Sequence, residues 1–148
     1  MPREDISDEQ MANVMVRPDD NIIDIVVDKQ GFVTFQAIIN AYTERVTYNK
    51  DFTFGVSQKK VMSMLNDGII TKDDFVGDVD RIIKVGAVAD RAQFIIREMH
   101  IADRSVQNIK VTVYNNLKTD WLIGQGTLKE FGDFQFDTNS MKLIFNKE

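Results

Sequence analysis

Few side chains in this sequence could do chemistry by themselves, and one group of carboxylates near the middle of the chain has residue types suited to binding a metal ion. Asn66-Asp67-Gly68 precedes Asp73 and Asp74, which suggests the oxygen ligands and turn glycine of a calcium-binding loop. The spacing does not fit, because placing Gly68 at the loop's glycine puts Ser63 and Leu65 at the first and third ligand positions. The segment is therefore predicted to end one helix and begin the next.

The rest of the sequence contains no clear motif for binding a metal ion, a nucleotide or a cofactor. His100 is the single histidine and there is no cysteine, so neither a His/Cys metal site nor a Ser-His-Asp triad can be assembled, and His100 is predicted to be structural. Gly124-Gln125-Gly126 contains a Gly-x-Gly pattern, but no Gly-Lys-Ser/Thr follows it. We expect no metal and no cofactor.

Size and charge point to a globular protein with protein partners. The 148 residues fit one domain, 43% of them are hydrophobic, and no apolar run is long enough to span a membrane. A net charge of -5 disfavours binding to nucleic acid, which needs a concentrated basic face. No signal peptide is evident. We expect protein partners in a homo- or hetero-oligomer, no nucleic acid or membrane partner, and a location inside the cell or within a virus particle.

The pattern of apolar residues predicts a mainly β fold with one or two short helices. Residues 1–20 are predicted to be an acidic N-terminal arm and residues 21–148 the folded domain. A meander of strands is predicted from Asn21 to Val56. A helix capped by Ser57 should run through Asn66 and stop at Gly68, and Thr71 to Asp74 has the spacing of a capping box that opens a single turn.

The second half of the chain returns to strands. These are predicted at Gln93 to Ile101, Val106 to Tyr114, Phe134 to Phe136 and Met141 to Phe145. Asp137-Thr138-Asn139-Ser140 supplies turn chemistry between the last two strands, and a short helix is predicted at Gly126 to Phe131, ending at Gly132.

Several of these segments together resemble retropepsin-like aspartic proteases. The strand Trp121-Leu122-Ile123 followed by Gly124, the short helix ending in Phe131-Gly132, and the final hairpin that begins at Phe134 are similar to the C-terminal half of that family. Residues 56–77 resemble the helix and flap-leading segment of its bacterial members. The resemblance covers roughly residues 21–148. It implies a closed β lobe in which Trp121, Ile123, Gly124 and Phe134 are structural and Gly124 lies beside the active-site loop. Trp121 and Phe134 are large aromatic residues in apolar strands, so both are predicted to be largely buried.

The catalytic motif of that family is absent. Counting back from the helix, Asp-Thr/Ser-Gly should fall within residues 48–53, where the chain has Tyr48, Asn49, Lys50 and Asp51. Asn49 or Tyr48 takes the place of the aspartate, and Asp51 lacks the Thr-Gly that should follow it. Aspartic proteolysis needs two carboxylates about 3 Å apart that share one proton, so no catalytic residue is assigned.

The segment expected to form the flap, residues 80–92, carries charged side chains that could bind a partner or could simply be solvated. The candidate binding residues there are Arg81, Lys84, Gly86 and Arg91.

Three functions remain open. The first is a non-catalytic structural or assembly protein, with a bacteriophage particle as one setting. The second is a peptide-binding module that uses the old substrate cleft, and the third is an active aspartic protease that uses Asp51.

Overall fold

The computed structural model describes residues 21–146, so the acidic arm predicted for residues 1–20 lies outside the described residues. The strands are β1 Ile22–Val27, β2 Val33–Ile39, β3 Tyr42–Tyr48, β4 Phe54–Ser57, β5 Ile83–Lys84, β6 Ala87–Val88, β7 Gln93–Ile101, β8 Arg104–Tyr114, β9 Trp121–Ile123, β10 Phe134–Asp137 and β11 Lys142–Phe145. The helices are α1 Gln58–Asp67, α2 Val79–Ile82 and α3 Gln125–Lys129, with a 3-10 turn at Lys72–Asp74. None of these helices is long and apolar enough to cross a membrane.

Six strands close into a barrel, which confirms the predicted mainly β, closed lobe. Going around it, the order is β2-β3-β9-β4-β8-β7, and the ring closes because β2 also pairs with β7 through Ile38 and Ile39. Strands β1, β11 and β10 extend the sheet outward from β2. The barrel holds β9 beside the turn that follows β3, where the sequence placed the degenerate active-site loop.

Successive side chains of a strand point to opposite faces, so every second side chain of a barrel strand enters the core. On β2, Phe35, Ala37 and Ile39 are buried, whereas Gln36 and Ile38 are exposed. The largest fully buried side chains include Phe35 of β2, Phe94, Ile96 and Met99 of β7, Trp121 of β9, and Phe145 of β11 beside the ring.

Helix α1 begins and ends where the sequence predicted. The Ser57 hydroxyl accepts a hydrogen bond from the Lys60 N–H at 3.1 Å, and Gly68 closes the helix in the left-handed conformation at φ 75°. The single turn predicted at Thr71 is also confirmed, because the Thr71 N–H donates to the Asp74 carboxylate at 2.9 Å.

Two sequence predictions need correction. The meander ends at β3, because β9 inserts between β3 and β4 and pairs with both of them. A third helix, α2, forms in the expected flap segment, where the Asp78 carboxylate caps it by accepting from the Asp80 N–H. Phe134 is half-buried and packs against the core from β10, which has a strand partner on one side only.

Trp121 is fully buried, as predicted, and its indole is held by a polar contact at one end of the barrel. The Trp121 Nε1–H donates to a Glu44 carboxylate oxygen at 3.1 Å. The Lys60 ammonium approaches the same oxygen at 2.8 Å, with the Glu44 side chain only 10% exposed. The Trp121 ring also stacks on Phe54, with centroids 5.7 Å apart. The Glu44 carboxylate therefore supplies the hydrogen-bond acceptor that the buried indole of Trp121 needs, and the indole supplies a donor to a carboxylate that is shielded from water.

Replacing Trp121 with alanine should destabilise the fold strongly. The change leaves a cavity and removes a hydrogen-bond donor from a shielded carboxylate, for an expected loss of about 3–5 kcal/mol in the free energy of unfolding. Phe134→Ala is the comparison, and its loss should be clearly smaller because that ring is half-buried. Chemical denaturation measures both. Equal losses would show that Trp121 does not anchor the barrel.

Candidate functional site

The candidate site is the turn between β3 and β4, and strand β9 crosses directly behind it. Ile123 pairs with Tyr48 in parallel register, and the Asn49 N–H donates to the Ile123 carbonyl at 3.0 Å. The Gly124 N–H then donates to the Thr53 carbonyl at 2.6 Å. The contact predicted between the strand that ends at Gly124 and residues 48–53 is therefore confirmed.

Only glycine fits at position 124. A Cβ atom there would lie 1.5 Å from the Phe52 carbonyl oxygen and 3.1 Å from the Thr53 nitrogen, which is backbone that cannot rotate away. The φ of Gly124 is an ordinary -100°, so the requirement for glycine is steric and does not arise from the backbone conformation. The loop and β9 touch backbone to backbone.

The turn organises itself around Asn49. Its side-chain oxygen accepts a hydrogen bond from the Asp51 N–H at 3.1 Å, and its carbonyl accepts one from the Phe52 N–H at 3.0 Å. An Asx turn of this kind is the local structure that asparagine favours. Lys50 and Asp51 are exposed at the tip, and within residues 21–146 no hydrogen bond or ion pair engages the Asp51 carboxylate.

Tyr48 lies at the base of the turn against the C-terminal hairpin. Its ring is 4.7 Å from the ring of Phe136 and 6.1 Å from that of Phe134, centroid to centroid. Burial raises the pKa of the Tyr48 hydroxyl above its usual value, and the negative charge of Asp51 raises it further. The phenol therefore stays neutral at any ordinary pH, and the structure places it in a packing role.

On the other side of the turn, an aromatic pair covers the backbone of β4. Phe52 and Tyr114 contact each other with ring centroids 5.3 Å apart. Both rings lie over Gly55, where a Cβ atom would be 2.8 Å from each of them. The Arg91 guanidinium in turn lies 4.8 Å from the centre of the Tyr114 ring, which is a cation–π geometry. Phe52, Tyr114 and Arg91 thus form a continuous row of contacting side chains, called the stack below, in which the two rings are tilted by 56°.

The expected flap is a short hairpin, and its candidate residues do not converge. Arg81 lies on α2 beside Asp78, and the Lys84 ammonium of β5 donates to the Asp80 carbonyl at 3.0 Å. Gly86 makes the turn with φ 77°, next to the fully exposed Val85. Of the four candidates, Arg91 alone reaches the stack beside the β3–β4 turn.

The remaining polar candidates are explained by local structure. His100 lies on β7 with its Nε2 3.0 Å from a Glu98 carboxylate oxygen. Asp137 accepts hydrogen bonds from the N–H groups of Ser140 and Asn139, and these bonds lower its pKa. It organises the β10–β11 turn, as the sequence predicted. Within residues 21–146 no cluster of His, Asp and Glu side chains could hold a metal ion.

Sequence reasoning missed the stack formed by Phe52, Tyr114 and Arg91. A signal was present in Gly55, because a glycine inside a strand often marks the close approach of another group. The sequence does not show which group approaches, since Tyr114 follows Gly55 by more than fifty residues and reaches it only through the β4–β8 pairing.

Comparison with known proteins gives one kind of match. No model of a known protein family matches the chain, and no curated protein does. Among solved structures, the chain is similar to a retropepsin-like aspartic protease from Rickettsia conorii, with a TM-score of 0.58, 17% identity, and coverage of 83% of this chain and 87% of that one. It is also similar to the retroviral protease-like domain of Ddi1 from Leishmania major, with a TM-score of 0.50, 12% identity, and coverage of 83% and 97%.

These matches confirm that the fold is retropepsin-like. Both neighbours are covered over most of their length, so the likeness extends over the whole lobe and is not limited to one hairpin. Identities this low establish the architecture alone. The function has to be argued from the residues of the turn and its surroundings.

Gly124→Ala should destabilise the protein by about 3 kcal/mol, because the added methyl group would overlap the Phe52 carbonyl and force the turn away from β9. The matched control is Gly126→Ala, two residues along in α3, where a Cβ atom meets nothing within 4 Å and alanine favours the helix. Thermal and denaturant unfolding measure both. If the two variants are equally stable, the backbone contact at Gly124 is not tight.

Ionisation of Tyr48 should weaken the fold at alkaline pH. The unfolded chain releases this proton near pH 10 and the folded chain only at a higher pH, so stability is intact below about pH 10 and is lost as pH rises through the folded-state pKa. Tyr48→Phe should therefore lose less stability above pH 10 than the parent, with Asp51→Asn intermediate. Tyr42→Phe, at an exposed ring, is the control. Identical alkaline slopes in all four proteins would refute the buried phenol.

Proposed function

We propose that this protein is a non-catalytic retropepsin-like protein that acts by binding other proteins, as a structural or assembly component of a larger complex. The observation that carries the proposal is the self-contained Asx turn at Asn49. Its side chain satisfies the turn's own backbone where an aspartic protease needs a carboxylate aimed at a water molecule. The sequence contains no Asp-Thr-Gly or Asp-Ser-Gly triplet.

Asp51 is a poor substitute for the missing aspartate. It lies at the exposed tip of the turn, two residues after Asn49, and no described donor orients its carboxylate. Sharing a proton requires two such groups held about 3 Å apart in a shielded site. A solvated carboxylate on a turn tip has neither the partner nor the shielding, which argues against the protease alternative.

The peptide-binding alternative has one specific observation in its favour. Arg91 and Tyr114 of the stack line a depression of about 170 Å³, together with Asp90, Asn116 and Leu117. Flat aromatic and guanidinium surfaces suit the binding of an extended peptide. The depression is small, however, so we place this role second.

The flap hairpin is the best candidate for contact with a partner in the assembly role. Val85 at its tip is a fully exposed apolar side chain, and the tip carries no functional chemistry of its own. Capture of partners from the native host by the purified protein, with Val85→Asp compared against Val76→Asp on a different loop, tests this surface. Loss of a partner through Val85→Asp alone supports the flap, whereas equal capture by both variants excludes it.

We expect no proteolytic activity. Incubation with an unfolded casein-like substrate from about pH 3 to about pH 7, the range in which aspartic proteases share a proton, should give no cleavage products by mass spectrometry. Asp51→Asn is the matched variant, and it should also leave the binding of partners unchanged. Cleavage by the parent that disappears in Asp51→Asn would overturn the non-catalytic proposal and favour the protease.

A further inference from the structure

A groove of about 940 Å³ lies where strands β1 and β2 separate. Residues 25–27 of β1 pair with β2, whereas residues 22–24 of β1 pair with β11. Strands rather than loops therefore form the walls of the groove, with Ile22 and Ile23 lining it from β1 and Ala37 and Ile38 lining it from β2. None of the residues 49–53 of the β3–β4 turn lines it.

The β1 wall presents main-chain hydrogen-bonding groups to the groove. Successive residues of an antiparallel strand direct their N–H and C=O groups to opposite sides. The Ile25 N–H donates to the Met141 carbonyl at 3.1 Å, so the odd-numbered residues of β1 face β11. The main-chain groups of Ile22 and Asp24 therefore face the groove, and no strand within residues 21–146 pairs with them on that side.

Strand β2 does not cover these groups, because it pairs elsewhere. Continuing the β1–β2 register would place Gln36 opposite Asp24 and Ile38 opposite Ile22, but Ile38 pairs with His100 of β7 instead. An open strand edge accepts an added strand readily, because the added strand supplies main-chain partners at the matching spacing. The chemistry of this wall thus suits an extended polypeptide.

The groove also exposes apolar side chains from several strands. Val26 of β1 is 51% exposed and Ile38 of β2 is 41% exposed, and the half-buried Ile22 and Ile144 line the groove with them. Apolar surface gathered in one place favours coverage by another apolar surface. An occupant should therefore direct apolar side chains into the groove.

The charges on the lining are largely matched already. Lys142 pairs with Asp24, and the His100 Nε2 lies 3.0 Å from a Glu98 carboxylate oxygen. Arg45 is the one lining cation without a carboxylate partner among residues 21–146. A charged side chain entering the groove would lose its water and find few unmatched charges to pair with. Charge complementarity therefore favours an occupant with no cation and at most one carboxylate.

We propose that the groove binds an extended, mainly uncharged β-strand donated by a partner protein, which pairs with the open edge of β1 at Ile22 and Asp24. Apolar side chains at alternate positions of that strand cover Val26 and Ile38. The donor is a different protein, because every strand of three or more residues within residues 21–146 is already paired in this chain's own sheet. The inference rests on the proposed role in protein binding but not on the flap.

Amide hydrogen exchange on the full-length chain tests the strand pairing. In the free protein the amide hydrogens of Ile22 and Asp24 should exchange fast, whereas that of Ile25, which is bonded to β11, should exchange slowly. The probe is a synthetic peptide of about six alternating valine and threonine residues with blocked ends. Saturating peptide should slow exchange at Ile22 and Asp24 roughly tenfold or more and leave Ile25 unchanged.

Matched variants and a modified peptide identify the site and the binding mode. Ile38→Lys places an unmatched charge in the groove and should weaken binding of the peptide roughly tenfold or more. Tyr42→Lys is the control, because Tyr42 is an exposed apolar residue that does not line the groove. The same peptide with every main-chain nitrogen methylated keeps its apolar side chains but cannot donate to the edge of β1, so it should not protect Ile22 or Asp24.

Three outcomes would overturn the proposal. Slow exchange at Ile22 and Asp24 in the free chain would show that the chain itself or a second copy already covers the edge. Equal protection by the methylated peptide would exclude strand pairing, and equal binding by the Ile38→Lys and Tyr42→Lys variants would exclude the groove. Val85→Asp should leave peptide binding unchanged, so a failure at the groove leaves capture of partners through the flap as a separate test of the proposed function.

Discussion

The contact between the backbone of Gly124 and the backbone of residues 52–53 is the constraint on which the rest of the lobe depends. It lets β9 pass directly behind the β3–β4 turn and pair with strands on both of its sides, parallel to β3 and antiparallel to β4. Without that close approach, β3 and β4 could not take their places on either side of β9. The ring of six strands would then have no closed path. The missing side chain at residue 124 is what permits this close approach.

The same contact explains how the turn keeps its shape with asparagine at residue 49. The bonds that fix the turn run through main-chain atoms of Asn49, Thr53, Ile123 and Gly124, together with the side chain of Asn49 itself. A carboxylate is not needed to hold this geometry, because an asparagine oxygen accepts the same backbone hydrogen bond. The retropepsin-like lobe is therefore compatible with asparagine at this position of the turn.

Closure of the barrel also creates a groove between β1 and β2, lined in part by Ile22, Val26 and Ile38. Strand β2 closes the ring by pairing with β7 through Ile38 and Ile39, and its pairing with β1 is limited to residues 25–27 of β1. Residues 22–24 of β1 therefore have no strand partner on the side of β2. The groove at this point is a consequence of barrel closure, independent of the β3–β4 turn. Two surfaces with separate physical origins, the stack beside the turn and the groove beside β1, are thus available on one small domain.

The sequence alone determined what depends on local chemistry. The caps of α1 at Ser57 and Gly68, the turn at Asp137, and most strand bounds follow from residues close together in the chain. The absence of an Asp-Thr-Gly triplet was also readable directly. Tertiary structure decided the insertion of β9 between β3 and β4, the burial of Trp121 against Glu44, and the stack of Phe52, Tyr114 and Arg91. These contacts join residues far apart in the chain, and periodicity reports which face of a strand is apolar but not which strand lies beside it.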